Sequence, residues 1–290
     1  MRNRFILSCG LFLLAACDPA STVVLSTDAL PPSGPYTYAA WLDDGAGTTE
    51  LLGTFADSGD AEFTVADLSL WSEVFVTAEV AVPTTPGPAE VLRGTLDSDG
   101  ADLALSFEVE VEGGVSLWSP TDNDTAPDNA EQGAWFIERV ADQNTPGLVL
   151  QAPAPGWVYT GWVATQDVFL PMGSFTQAEG VDSDCFFCGP NQAFPHPGED
   201  FVAGLPDELT TAVDLADGAS FVTLSLSPGA YDLSPDVYDL SPGAYDIASG
   251  EPFRFGLDVL SADVPFGQGA GALVGMDSVF DPPSGGLLVQ

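Results

Sequence analysis

The residues with the most chemistry to offer are Cys185-Phe-Phe-Cys188, which follow Asp182-Ser-Asp184 and precede His196 by eight positions. Two thiols this close can close a disulfide, hold a soft metal or exchange electrons. A zinc site would need two further ligands, which His196 and either Asp184 or Glu199 could supply. Only one CxxC is present, however, and an exported chain meets oxidising conditions, so the first expectation is a structural disulfide between Cys185 and Cys188. Zinc and redox-active thiols are the alternatives. A redox CxxC of the thioredoxin type opens a helix in a βαβ unit, whereas this one lies among strand-like segments.

Two acidic runs offer a different chemistry. Asp97, Asp99 and Asp102, and again Asp122, Asp124 and Asp128, put carboxylates at the near-alternate positions by which a loop wraps oxygen ligands around Ca²⁺. Neither completes a twelve-residue EF-hand, and Asp-Gly pairs also serve ordinary turns. Weakly bound Ca²⁺ is therefore the one cofactor these runs admit. Catalytic patterns are missing: there is no Gly-x-Ser-x-Gly, and His196 is held between Pro195 and Pro197. Asp57-Ser58-Gly59 spells the aspartic-protease triplet but reads as a turn between Phe55 and Phe63. Nothing singles out a glycosidase pair among 43 acids. No catalytic residue is expected.

The composition narrows the field further. All five basic residues are Arg, and without Lys both Schiff-base and P-loop chemistry are excluded. A formal charge of −38 repels nucleic acid and anionic membrane surfaces. With 31 Gly and 24 Pro in 290 residues the chain can build a hydrophobic core but not long helices.

The N-terminus reads as an export signal. Arg2 and Arg4 precede an apolar run too short for the ~20 residues of a membrane-spanning helix, and Ala15-Ala16 then precede Cys17. Leu14-Ala15-Ala16-Cys17 resembles the bacterial lipobox. The resemblance implies removal of residues 1–16, lipidation of Cys17 and a tether over 17–35 that holds the chain on the cell envelope, at the outer membrane or the periplasmic face. Several acyl chains would anchor stably where one would not.

Beyond the tether the pattern has period two. Leu103, Leu105, Phe107, Val109 and Val111 alternate with polar residues over one expected strand, and Val74, Val76, Ala78, Val80 and Val82 over another. Turns such as Asp43-Asp44-Gly45 and Asp97-Ser98-Asp99-Gly100 separate such strands. The expected fold class is all-β, with two tandem antiparallel β-sandwich (Ig-like) domains at 36–118 and 133–266. An acidic linker at 119–132 joins them, and a Gly-rich tail at 267–290 follows.

Self-comparison supports the duplication. Tyr38-Ala-Ala-Trp41 followed by Gly53-Thr-Phe55 matches Tyr159-Thr-Gly-Trp162 followed by Gly173-Ser-Phe175. Phe75-Val-Thr77 matches Phe221-Val-Thr223, and Val91-Leu-Arg93-Gly94 is echoed by Phe253-Arg254-Phe-Gly256. Trp41 and Trp162 are expected in the two cores. The second copy adds the CxxC loop and a heptad insertion over 226–246 that carries Tyr231, Tyr238 and Tyr245. Pro in each heptad excludes a coiled coil.

Tyr-x-x-Trp-Leu-x-Asp at 38–44, Leu52-Gly53-Thr-Phe55, Val76-Thr77-Ala-Glu79 and the Pro-rich run 83–88 before Val91-Leu92 resemble the extracytoplasmic C-terminal domain of anti-sigma-K factors. Gly156-Trp-Val-Tyr-Thr-Gly-Trp162, Pro171-Met-Gly-Ser-Phe175 and Pro197-Gly-Glu-Asp-Phe201 fall in the same order in the second copy. The resemblance implies a small β-sandwich outside the membrane with a sensory or scaffold role. The family's transmembrane helix and sigma-binding part have no counterpart here. The expected function is a membrane-anchored, non-catalytic binding, sensory or scaffold module. Its partners would be the membrane, through the lipid, and an envelope protein or glycan; nucleic acid is excluded. An envelope glycan hydrolase and a calcium-dependent surface adhesion protein are the alternatives.

Overall fold

A computed structural model describes residues 20–31, 36–121, 127–140, 143–166, 168–183, 185–190, 194–205, 209, 211–229 and 256–290. The export signal, Cys17, Asp184, Arg254 and the three heptad tyrosines lie outside them. The described chain is all-β: its only helical pieces are short 3-10 turns, and every strand pairing is antiparallel.

The first sheet contains β1 (Ser21–Asp28), β2 (Thr37–Asp43), β3 (Thr49–Phe55), β4 (Gly59–Val65), β5 (Glu73–Glu79), β6 (Glu90–Thr95) and β7 (Gly100–Leu105). The middle of the chain supplies β8 (Val111–Leu117), β9 (Gly133–Trp135), β10 (Ile137–Val140), β11 (Gln143–Pro146) and β12 (Leu148–Leu150). Then come β13 (Trp157–Thr165), β14 (Val168–Phe175), β15 (Gly198–Asp200), β16 (Phe221–Pro228) and β17 (Leu257–Asp263). The C-terminal strands are β18 (Leu273–Gly275), β19 (Asp277–Ser278) and β20 (Ser284–Val289).

The first sheet runs β3-β2-β5-β6-β7-β20-β1-β4. Its two end strands are consecutive in sequence, joined by the turn at 56–58, so the sheet must roll until they meet. Gly53 of β3 then faces Phe63 of β4 so closely that an added Cβ would lie 2.5 Å from the ring. The last sheet runs β14-β13-β16-β17-β19, the middle of the chain forms a smaller middle sheet built on β8 with β9, β12, β15 and β18, and β10 and β11 pair as a two-stranded sheet.

The duplication is legible in atoms. The order β3-β2-β5-β6 recurs as β14-β13-β16-β17. Tyr38 pairs with Phe55 and Tyr159 with Phe175, with stacked rings 5.5 and 6.1 Å apart. Each Tyr hydroxyl donates to an upstream carbonyl, Pro31 at 2.8 Å and Gln151 at 2.9 Å. The register slips just before each Trp, and again between Val76 and Thr77 and between Leu224 and Ser225. Trp41 pairs with Phe75 and Trp162 with Thr223, so the counterpart of Phe75 is Thr223, two residues beyond the Phe221 that the sequence match pointed to. Arg93, opposite Phe75, finds Ser261 in its place.

Several expectations are corrected. Val23 and Leu25 are wholly buried in β1, so residues 21–28 of the supposed tether belong to the first sheet. Residues 284–289 of the supposed tail form β20 between β7 and β1, with Leu287 buried. Residues 119–121 and 130–132 of the supposed linker are held against the protein: Thr121 is wholly buried, Ala130 is buried, and the Gln132 carbonyl accepts from the Phe201 N–H. The single strand read over 103–112 breaks into β7 and β8, because the chain passes from one sheet to the next while its alternate apolar residues keep packing on the core. Val80 and Val82 lie beyond β5 and are exposed. The two copies also share one hydrophobic cluster rather than holding separate Ig-like cores. Trp157 ties them together, its indole N–H donating to the Glu90 carbonyl at 3.0 Å and its ring lying against Phe107.

Trp41 is buried on the face opposite that core. Tyr38, Ala40 and Leu42 turn one way into the shared cluster, while Ala39 and Trp41 turn the other way onto Phe75. Arg93 lies over the Phe75 ring, 4.5 Å from its centre, and is itself paired with Glu90 and Glu73. Trp162, its counterpart, is likewise wholly buried but outside the shared cluster.

Candidate functional site

The loop from 176 to 197 is the longest addition that the second copy makes between its Gly-x-Phe strand and the next paired strand. It folds back onto the middle sheet through β15, which pairs with β9 so that Glu199 lies opposite Ala134 and Asp200 opposite Gly133. Gly198 opens this strand at φ +149°, and its backbone lies so close to Ala134 and Trp135 that a Cβ would meet both at 2.6 Å. Strand alternation then sends Glu199 and Asp200 to opposite faces. Both are wholly buried.

Asp200 is fully engaged. It accepts hydrogen bonds from the Thr121 N–H at 2.6 Å, the Thr121 hydroxyl at 2.7 Å and the Trp135 indole at 2.6 Å. A buried acid costs free energy unless such donors surround it. Thr121 Oγ1 also accepts from the Gly189 N–H at 2.9 Å, which pins the end of the CxxC loop to the same point.

Glu199 faces the cysteines. Cys185 and Cys188 are disulfide-bonded with Cα atoms 5.3 Å apart, as the sequence led one to expect. Both sulfurs and a Glu199 carboxyl oxygen lie within 4.8 Å of one another. One Glu199 oxygen accepts from the Asp200 N–H at 3.1 Å, whereas Oε2 has no hydrogen-bond partner. Burial pushes the carboxyl up to about 9, and the negative charge of Asp182 adds to this; the backbone N–H groups of Phe187, Asp200 and Phe186 act against it. The group is therefore a neutral acid at pH 7.

The turn that carries the disulfide is held by more than the disulfide. Phe187 is wholly buried against Phe201, and its carbonyl accepts from the N–H groups of Val202 at 3.1 Å and Ala203 at 3.0 Å. Asp182 accepts from the Gly198 N–H at 2.9 Å. Cys188 is buried, while Cys185 is partly exposed.

The zinc reading fares less well. Among the described residues the cluster stops at three donors, two of them joined as a disulfide, and His196 is not one of them. His196 instead packs against Phe194, which stacks edge-on against Trp135. The calcium reading is weakened in its first run. Asp97 Oδ1 accepts from the N–H groups of Asp99 at 2.8 Å and Gly100 at 3.0 Å, so it builds the turn, and Asp97, Asp99 and Asp102 do not converge on a common point. Asp122 and Asp124 lie outside the described residues, and only the backbone of Asp128 is described, in a 3-10 turn.

Sequence reasoning named Cys185, Cys188 and Glu199 and noted Asp182 and Asp200 beside them without giving either a role, and it missed Thr121 and Trp135. Nothing local marks these last two, since they reach Asp200 from 79 and 65 residues away. Comparisons with protein-family models, with curated proteins and with solved structures returned no match.

Proposed function

We propose that the chain is a lipid-anchored protein of the bacterial cell envelope whose duplicated β unit serves as a binding, sensory or scaffold module, related to the outer domain of anti-sigma-K factors and without substrate turnover. The observation that carries this reading is the duplication itself. Two units with the same strand order, the same register slips and the same Tyr-Phe stack present broad sheet surfaces on a strongly acidic chain. Such a surface favours a protein or glycan partner and disfavours nucleic acid. A disulfide fits a compartment outside the reducing cytoplasm. Contact with an anionic membrane would run through lipid on Cys17 and not through the protein surface.

Intact mass measurement on protein extracted from membranes tests this. The expected species begins at Cys17 and carries acyl chains, and a Cys17→Ser chain leaves the membrane fraction. An unacylated full-length chain in the cytosol overturns the proposal. Hydrolysis of peptidoglycan or glycosides, abolished by one carboxylate substitution, would replace it with the hydrolase reading. A melting temperature that falls on chelation and recovers with Ca²⁺ would replace it with the adhesion reading.

A further inference from the structure

We infer that Cys185 and Cys188 form a redox-active disulfide that exchanges with an external dithiol, with Glu199 as the proton donor to the leaving thiolate of Cys188. Three observations point there. The first is the asymmetry of the bridge: Cys185 is partly exposed, which makes it the sulfur that an external thiolate reaches, while Cys188 is buried beside Glu199. The second is Glu199 itself, a wholly buried carboxyl whose Oε2 finds no hydrogen-bond partner and one of whose oxygens lies within 4.8 Å of both sulfurs. A buried polar atom left without a partner needs a reason, and a proton held ready for sulfur supplies one. The third is that the bridge is not what alone anchors the turn. Phe187 is anchored in the core and its carbonyl is bonded to Val202 and Ala203, contacts that opening the bond does not itself remove. A bridge across so few residues also constrains the unfolded chain least.

A thiolate of the dithiol attacks Sγ of Cys185, the Cys185–Cys188 bond breaks, and its electron pair leaves on Cys188. Glu199 gives its proton to that sulfur, directly or through one water, and becomes a carboxylate. The second thiolate of the dithiol then attacks the mixed disulfide and releases Cys185. The pair Cys185–Cys188 has gained two electrons, the dithiol has become a disulfide, and solvent returns a proton to Glu199. Reoxidation runs the same steps backwards, with Glu199 carboxylate taking the proton from Cys188.

The elevated affinity of Glu199 for its proton keeps it loaded at neutral pH, which is what a donor requires. The inference does not depend on where the chain is anchored, because purified full-length protein suffices to test it. The experiment follows reduction by dithiothreitol with mass-tagged alkylation, over pH 6 to 10, in the wild-type chain, Glu199→Gln and Glu199→Asp. Rates are divided by the thiolate fraction of the reductant.

In the wild type the corrected rate should be flat at neutral pH and fall as pH passes about 9, where Glu199 loses its proton. Glu199→Gln should be slower by about 100-fold at pH 7 and show no such fall, since general acid catalysis of this kind contributes about 10²–10⁴-fold. Glu199→Asp should recover part of the rate. Circular dichroism of the reduced wild type should match the oxidised form. A disulfide that opens only on unfolding, a Gln variant as fast as wild type, or a wild-type profile with no break above neutral pH overturns the inference. If the variants fail to fold, the wild-type profile alone decides.

Discussion

Replacing Glu199 by Gln removes one titrating group from the interior and keeps its shape. Burial holds the carboxyl at about 9, whereas an unfolded chain holds it near the ordinary 4.5. Between those two values the folded chain keeps a proton that the unfolded chain has released. The sign follows from this: stability linked to Glu199 is complete below the unfolded value and drains away as pH rises towards the folded one. One proton corresponds to about 1.4 kcal/mol per pH unit. From pH 5 to pH 8 the wild type therefore loses about 4 kcal/mol through this one residue, against a total of about 5–15 kcal/mol that holds a typical protein together. The amide has no proton to lose, and its cost or gain is the same at each pH. Urea unfolding of both chains at pH 5, 6, 7 and 8, with the disulfide intact, measures the difference. All other acids titrate in both chains and cancel. The Gln variant should gain on the wild type by about 4 kcal/mol across this range. A difference that stays level with pH refutes the neutral buried carboxyl, and one that shrinks refutes the sign.

Opening the Cys185–Cys188 bridge by Ser at both positions should cost about 2 kcal/mol, the chain-entropy value for so short a loop, and leave the fold cooperative by calorimetry. Loss of folding altogether would show that the bridge organises the loop that Phe187 and Asp182 are here held to organise. Thr77→Val strips the Trp41 indole of an acceptor 2.9 Å away and Glu79 of a donor at 2.6 Å, both buried. It should cost about 1–3 kcal/mol in urea unfolding, and an unchanged midpoint would show that the polar chain behind Trp41 is not needed.

Much of the fold follows from local pattern, and what does not follow has one cause. Alternation of period two makes the segments strands, and the absence of a helical period leaves no competitor. Alternation is blind, however, to a slip of two residues, because such a slip returns every side chain to its own face. The Phe75-Val-Thr and Phe221-Val-Thr match falls into that gap: both triplets obey the pattern, yet the ladder sets Thr223, not Phe221, at the place of Phe75. Pairing between the ends of the chain is equally invisible. Val23, Leu25 and Thr27 alternate as clearly as any strand, but only the ladder with Leu287 shows where they go. Such long-range pairings carry no local mark, so an N-terminal strand reads as a tether and a C-terminal one as a tail.

The site divides along the same line. Cys185, Cys188 and Glu199 lie within fifteen residues of one another and were legible as a group, because short loops bring near neighbours together. Thr121 and Trp135 reach Asp200 from 79 and 65 residues away, Thr121 from inside a segment whose composition reads as a spacer and Trp135 from just beyond it. Their contribution is nonetheless what makes the group usable. By satisfying Asp200 on one face of β15 they let that strand stay buried, and alternation then forces its neighbour Glu199 into the dry space beside the disulfide. An acid so placed cannot be charged cheaply, and both sulfurs lie within 4.8 Å of it, able to take up a proton once their bond is open. The chemistry at the CxxC thus depends on a hydrogen-bond network on the far side of a three-residue strand, and Asp200→Asn should disturb Glu199 without touching it. Fewer donors matched to Asp200 would loosen β15, admit water to Glu199 and bring the pH-dependent stability loss of the wild type down. Should the slope in Asp200→Asn equal that of the wild type, the two faces of β15 are independent and the burial of Glu199 has another origin.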